Sequence, residues 1–187
     1  MTAQSQPPVF AAAVQSLRAA RPRPEIVLAE IPPPQRLAPY SFAMSAEVTA
    51  VEPDAATGRL VLLHDPAGQD SWDGVLRLVT FVSAELEADM AGDPLLAGVG
   101  WSWLVDALAA NGASYTAVGG TVTQTSSTRF GDLAGPSSTS DVELRASWTA
   151  LDDDLGPHLL AWCELLATST GLPPPGVTPL GIRRVRA

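Results

Sequence analysis

The chain of 187 residues contains one cysteine, no lysine and few aromatic residues, and these scarcities restrict what it can be. Cys163 alone cannot form an intramolecular disulfide, so the fold must be held by a packed core. No run approaches the roughly eighteen consecutive apolar residues of a membrane-spanning helix. Residues 1–25 lack the charged start and long apolar run of a signal peptide. We therefore expect a cytoplasmic protein that does not span a membrane.

The formal net charge of -9, with a pI near 4.5, restricts the partners. An acidic surface repels phosphate backbones and anionic lipid headgroups, so we expect no nucleic-acid or membrane partner. Hydrophobic residues make up 46% of the chain and charged residues 17%, as in folded domains. We expect a flexible arm over residues 1–8, one domain over 9–172, and a tail over 173–187 that is Pro-rich and then basic.

Apolar residues at helical spacing predict three helices. The first contains Phe10 and Leu17 and ends where Pro22 cannot continue it. The second spans 95–110, with Asp93 as its expected N-cap. The third follows the acidic run 152–154, which suits a helix N-terminus, and ends at Gly171.

Alternating and β-branched stretches predict the strands between these helices. They lie at 25–31, 40–51, 59–64, 75–86 and 115–130, with a further strand through 142–149. Residues 54–58 are expected to form a hairpin turn, and 65–74 a polar loop. The stretch 75–86 is apolar on nearly both faces, which indicates a central strand covered on both sides. Gly119 and Gly120 indicate a bulge or a close backbone approach.

This order of elements predicts an α+β domain with an antiparallel sheet of about five to six strands flanked by three helices. The element order is similar to that of the secretion-chaperone and YbjN-like fold. That similarity concerns architecture alone and implies no chemistry.

Four long segments of the chain are SLRAARPRPEIVLAEIPPPQRLAPY, TGRLVLLHDPAGQDSWDGVLRLVTFV, DPLLAGVGWSWLVDALAANGASYTAVGGTVT and RASWTALDDDLGPHLLAWCELL. They resemble an actinobacterial family of uncharacterised proteins, the domain of unknown function 3000, and the resemblance covers roughly residues 10–175. It implies an actinobacterial cytoplasmic protein and brings no activity, cofactor or catalytic residue.

Motifs for common catalytic and cofactor sites do not occur in the sequence. It contains no phosphate-binding G-x-x-x-x-G-K-[ST], no H-E-x-x-H, no C-x-x-C and no G-x-S-x-G. Gly98 and Gly100 begin a G-x-G, but Trp103 occupies the position of the third glycine. We therefore predict no catalytic residue, no metal site and no cofactor.

The stretch from His64 to Gly74 is the densest polar cluster. One imidazole and several carboxylates would suit ligand contact or acid–base chemistry. The alternative is a hairpin connection whose Asp side chains accept local backbone hydrogen bonds. Trp72 favours a binding role, because an exposed loop Trp marks an interaction site. The candidate contacts in and near this cluster are Arg36, His64, Asp65, Gln69, Trp72 and Asp73.

Trp101 and Trp103 lie two positions apart on the second helix and so point in nearly opposite directions. Either the helix lies between the sheet and another element and buries both, or one of them contacts a partner. Both are kept as candidate partner contacts.

We expect mainly structural roles for His158, for Cys163 and for the arginines near the first helix. His158 follows the acidic run 152–154 and is expected to be solvated or salt-bridged. Cys163 shares an apolar face with Leu159 and is expected to be a buried, inert thiol. The arginines around the first helix would either bind an acidic partner or pair with acidic residues of the chain itself: Arg18, Arg21, Arg23 and Arg36.

Two functional hypotheses follow. The first is a non-enzymatic protein-binding or regulatory module, with a second copy of the chain as one form of partner, that uses a sheet face and the Trp-bearing elements. The second is a small-molecule-binding protein or enzyme with a pocket near His64, Asp65 and Asp73, which requires these side chains to converge.

Overall fold

A computed structural model describes residues 6–49, 56–86, 92–133, 135 and 138–177. The order of elements matches the order that the sequence predicts. The elements are α1 (Pro8–Ala19), β1 (Ile26–Ile31), β2 (Tyr40–Val48), β3 (Ala56–Gln69), β4 (Gly74–Glu85), α2 (Leu96–Ala110), β5 (Tyr115–Thr128), β6 (Ser138–Ala150) and α3 (Gly156–Ser169).

The strands form one six-stranded antiparallel sheet in the order β1-β2-β3-β4-β6-β5. The first four strands follow chain order, as in a meander. β6 then pairs with β4, which places β5 at the outer edge. The predicted α+β class, the strand number and the three helices are confirmed.

All three helices lie on one face of this sheet, which we call the covered face. Phe10 of α1 lies 5.7 Å from the ring of Tyr40, measured between ring centroids, and 5.9 Å from that of His64. A Cβ placed on Gly58 of β3 would lie 2.8 Å from Trp162 of α3. Because cross-strand partners share a face, these contacts place α1 and α3 on the same side.

The second helix packs on the same face at the β5 end of the sheet. A Cβ on Gly120 would meet both the Trp101 ring of α2 and the Arg145 carbonyl of β6. β5 also has a register shift between Thr116 and Gly119, where Ala117 has a φ of 49°. The bulge and the close approach expected at the glycine pair are both present.

The core between helices and sheet is apolar and continuous. Trp148 of β6 and Trp162 of α3 are its largest fully buried side chains. Each of these aromatic rings removes roughly 150–250 Å² of surface from water. Cys163 lies in the same core, as expected.

Several sequence expectations are wrong in detail. β3 already includes Ala56–Gly58, part of the expected turn, and residues 54–55 lie outside the described residues. β3 also continues through the expected loop to Gln69. Asp93 caps a turn before α2, through a bond from the Leu95 N–H, and the helix has no side-chain cap. The basic end of the tail, 178–187, lies outside the described residues.

β4 is central but is not covered on both sides. Its residues alternate, with Leu76, Leu78 and Val82 on the covered face. Val79 and Phe81 lie on the opposite face, which we call the open face because no described helix lies on it. The twist of the sheet and neighbouring side chains leave both residues half-buried.

Gly120→Ala should destabilise the fold, because the new methyl group would contact Trp101 and the Arg145 backbone. We expect the free energy of unfolding to fall by about 1–3 kcal/mol in urea denaturation, as for an overpacked core. Gly119→Ala is the matched control, since its Cβ would meet nothing within 4 Å. A change there should stay within about 0.5 kcal/mol. Equal effects of the two variants would contradict the packing of α2 on β5.

Candidate functional surface

The expected polar loop is the end of the β3–β4 hairpin. The chain reverses at residues 70–73, and Asp73 adopts a φ of 54°. β3 and β4 lose regular register between His64 and Gln69, so the hairpin end bends away from the regular ladder. The Asp and Gly residues of this stretch therefore serve mainly to form the turn and the irregular end of the hairpin.

His64 is buried in the aromatic cluster of the covered face. Its Nδ1 lies 2.9 Å from the Val75 carbonyl oxygen and donates to it. The ring stacks on Phe10, with an interplanar angle of 14°, and contacts Tyr40. His64 thereby links α1 to three strands of the sheet, and its side chain is 3% exposed.

The acidic candidates of the hairpin bind local groups. Asp65 follows His64 on the strand and so projects to the opposite face. It accepts hydrogen bonds from the Ala67 N–H at 3.1 Å and from Gln69 Nε2 at 3.3 Å. Asp73 accepts a bond from the Thr116 hydroxyl at 3.1 Å. The structure therefore does not bring His64, Asp65 and Asp73 together around one pocket.

The expectation of an exposed Trp72 is wrong. Its side chain is 8% exposed, and its carbonyl oxygen accepts a hydrogen bond from the buried Thr149 hydroxyl. Arg77 binds the same hydroxyl and the Ala117 carbonyl at the β5 bulge. The hairpin end is thus tied to β5 and β6, and burial of Arg77 lowers its pKa.

Trp101 and Trp103 are both half-buried, because α2 lies between β5 and α3. Trp101 contacts Gly120, and Trp103 lines a small space between α2 and the core together with Leu165 of α3. The first of the two sequence alternatives, burial of both rings between neighbouring elements, describes this position better. Neither ring projects freely into solvent.

The arginines near α1 bind groups of the chain itself. Arg18 makes a bidentate bond to Glu30 and Arg23 one to Glu25, and each pairing lowers the pKa of the glutamate. Arg21 donates to three carbonyls at the end of α1. Arg18 and Arg23 thus form ion pairs within the chain, and Arg21 satisfies carbonyl groups at the C-terminal end of α1. Arg36 is exposed, with a φ of 66°.

His158 is fully buried, so the expectation of a solvated or salt-bridged side chain is wrong. Its Nδ1 accepts a hydrogen bond of 3.0 Å from the Trp148 Nε1–H, which joins α3 to β6. Nδ1 is therefore unprotonated and the neutral ring carries its proton on Nε2. Burial lowers the pKa of His158 to about 4, although Asp152 and Asp154 act in the opposite direction. Burial also raises the pKa of the Cys163 thiol to about 12.

The open face carries the exposed arrangement that the sequence did not predict. Its middle row reads Ser45, Arg59, Phe81, Arg145 and Thr121 from β2 to β5. The Arg145 guanidinium lies 5.2 Å from the centre of the Phe81 ring, a cation–π distance. Ser45, Arg59, Phe81 and Arg145 line a shallow depression of about 620 Å³.

Apolar and acidic rows lie on either side of this middle row. The apolar side consists of the half-buried Val61 and Val79, together with Ala43 and, in the next row, Leu63, both of which are buried. The acidic side contains Glu47 and Glu143, followed by Glu85 and Asp141. The face is therefore apolar at one side, cationic along its middle and acidic at the other side.

No helix among the described residues is long and apolar enough to cross a membrane. Within the same described part of the chain, no group of three or more His, Cys, Asp or Glu residues is placed to hold a metal ion. A family model described as "Protein of unknown function (DUF3000)" matches residues 6–178. No curated protein and no solved structure matches the chain.

Stability should fall as the pH drops below about 6.5, because the unfolded state protonates His158 more readily than the folded state. The folded-state pKa of about 4 lies below the ordinary value of 6.5, so the loss develops between these two pH values. It amounts to about 3 kcal/mol once both states are protonated.

The measurement is urea unfolding at pH 7.5, 6 and 5, compared with the same series for His158→Gln. The variant keeps an acceptor for Trp148 and does not titrate in this range, whereas His64 and the carboxylates are common to both proteins. The wild type should lose more stability than the variant on acidification. Parallel pH profiles would show that His158 is not buried in its neutral form.

Proposed function

Because the chain belongs to the family described as protein of unknown function (DUF3000), whose description assigns no activity, we propose a function from the geometry alone. The protein is a non-enzymatic protein-binding module that holds a partner protein on the open face of its sheet. The observation that carries the proposal is the half-buried apolar group Val61, Val79 and Phe81 on a sheet face that no described helix covers.

Antiparallel sheets covered on one side normally alternate apolar and polar residues, with the polar ones facing water. The open face departs from this rule at Val61 of β3, at Val79 directly opposite it on β4, and at Phe81, the next residue of β4 on the same face. Contiguous apolar surface with a polar rim is typical of protein interaction sites. An aromatic side chain with arginines on both sides also has the composition of interface hot spots.

The charges of the open face indicate the partner's chemistry. Glu47, Glu143 and Asp141 lie at one side of the face, and the whole chain carries a net charge of -9. A partner with an apolar centre and basic side chains toward this acidic side is complementary to it. The same acidic balance disfavours nucleic acid and anionic membranes. A cytoplasmic location in an actinobacterium belongs to the same proposal, because the resemblance noted in the sequence implies it.

The separation of His64, Asp65 and Asp73 supports this proposal over the enzyme hypothesis. General acid–base chemistry needs groups that converge on one substrate atom. His64 instead donates to a backbone carbonyl on the covered face, and Asp65 and Asp73 accept bonds within and near the hairpin.

A photo-crosslinking residue at Phe81 should capture a protein partner. With p-benzoylphenylalanine in place of Phe81, irradiation of cells that produce the protein should give one dominant adduct, identified by mass spectrometry. Adding Val79→Arg should reduce that adduct by about tenfold or more, because a buried charge would have to enter the contact. In calorimetry, the purified partner should bind the wild type. Its affinity for the Val79→Arg variant should be lower by about the same factor.

The matched control is the same crosslinker at Leu95, which is 70% exposed and apolar but lies before α2, away from the open face. It should not give the Phe81 adduct. Identical adducts at both positions, or a folded Val79→Arg protein that binds the purified partner normally, would contradict the proposal. A retained small molecule without any protein adduct would favour the small-molecule hypothesis instead.

A further inference from the structure

The sheet ends in two edges of different character. β1 is six residues long, is followed at once by Pro32–Pro34, and carries Glu30 in an ion pair with Arg18. β5 is fourteen residues long and contains no charged residue and no proline. Short length, charge, proline and β-bulges are devices by which proteins prevent edge strands from pairing with other chains. β1 has the first three, whereas β5 has only a bulge, which is confined to the start of the strand at Ala117.

Two hydrogen bonds show which backbone groups of β5 point outward. Leu151 N–H donates to the Ser114 carbonyl, and Leu86 N–H donates to the Ser140 carbonyl. Since the direction of bonding alternates along a strand, odd-numbered residues of β6 bond to β5 and even-numbered residues bond to β4.

The register then assigns the groups of β5. Past the bulge, its odd-numbered residues lie opposite odd-numbered residues of β6, such as Thr123 opposite Glu143, and bond inward. The even-numbered residues direct both N–H and C=O away from the sheet, and no backbone partner for them occurs among the described residues. These outward-facing residues are Gly120, Val122, Gln124, Ser126 and Thr128.

We propose that two copies of the chain pair antiparallel through their β5 edges and join two six-stranded sheets into one. Charge favours a second copy as the occupant of this edge. A protein with net charge -9 repels itself over most of its surface, whereas β5 places only uncharged side chains opposite one another. Thr121, Thr123 and Thr125 of the two copies would form the Thr-rich cross-strand pairs that stabilise antiparallel ladders.

The bulge determines where this pairing begins. Ala117 breaks the regular ladder, and its carbonyl is held by Arg77 Nη1 at 2.8 Å. The regular ladder resumes at Gly119, and the outward-facing groups therefore run from Gly120 to the end of β5. Pairing would place the open faces of both copies side by side, in one continuous sheet surface. A role for that joint surface in partner binding rests on the proposed function. The edge argument itself does not use the open face.

Sedimentation equilibrium of the full chain tests this pairing. The wild type should be a dimer, and Gln124→Pro should raise the dissociation constant by about tenfold or more, because it removes an outward N–H that bonds across the interface. Proline is tolerated at an edge where the N–H faces solvent, so the variant should keep its circular dichroism spectrum. A monomeric wild type, or a folded Gln124→Pro variant with unchanged dissociation constant, would overturn the proposal.

Charge substitutions at the same position test it without changing the backbone. Gln124 lies opposite the apolar Val142, and its Nε2 donates one hydrogen bond within the chain, to the Asp93 carbonyl oxygen at 3.5 Å. Gln124→Glu and Gln124→Lys should each weaken self-association, and an equimolar mixture should form the mixed dimer. Failure of the mixture to associate more tightly than either variant alone would contradict antiparallel β5 pairing.

These results are separable from those for the open face. Val79→Arg should leave the dimer intact while reducing the Phe81 adduct, and Gln124→Pro should leave partner capture by each monomer in place. Loss of dimerisation in Val79→Arg would assign self-association to the open face and overturn β5 pairing.

Discussion

The close packing of α3 on the covered face is the contact on which the rest of the domain depends. Gly58 has no side chain, and Trp162 and Leu166 occupy the space that a Cβ would need. At the other end of the helix, the bond from Trp148 to His158 joins α3 to β6. α1 and α2 lie on either side of this helix, so every described helix is on one face.

One consequence is that the described helices form a single layer, on the covered face. Domains have two and occasionally three layers, and no described helix forms a third layer over β3, β4 and β6. The apolar residues Val61 and Val79 then face outward, although their strands are central. A partner protein on the open face, and a second copy at β5, would provide the contacts that the chain does not make for itself.

Periodicity predicted the elements well because each helix and strand has one consistently apolar face. It did not predict side-chain environment where local and tertiary signals disagree. His158 follows three Asp residues, which suggested solvent, but its position on α3 turns it toward Trp148. Trp72 sits among polar turn residues, yet its side chain is buried, and its carbonyl oxygen accepts a bond from the Thr149 hydroxyl that Arg77 also binds. Such contacts join residues far apart in sequence.

The same limitation explains the open face. β4 is apolar on both faces, which is typical of a strand between two layers, and the sequence gives no sign that one layer is absent. Nor does the sequence show which strand is at the edge of the sheet. β6 pairs directly with β4, although β5 lies between these two strands in the sequence. The direction in which each backbone group of β5 points follows only from its register against β6.

Amide hydrogen exchange along β5, followed by NMR at high and low protein concentration, tests most directly whether another chain completes this sheet. The inward N–H groups of Thr121, Thr123 and Thr125 should be protected at both concentrations. Those of Val122, Gln124 and Ser126 should be protected only at high concentration, where the second copy accepts their bonds. Fast exchange of this second set at every concentration would contradict the account.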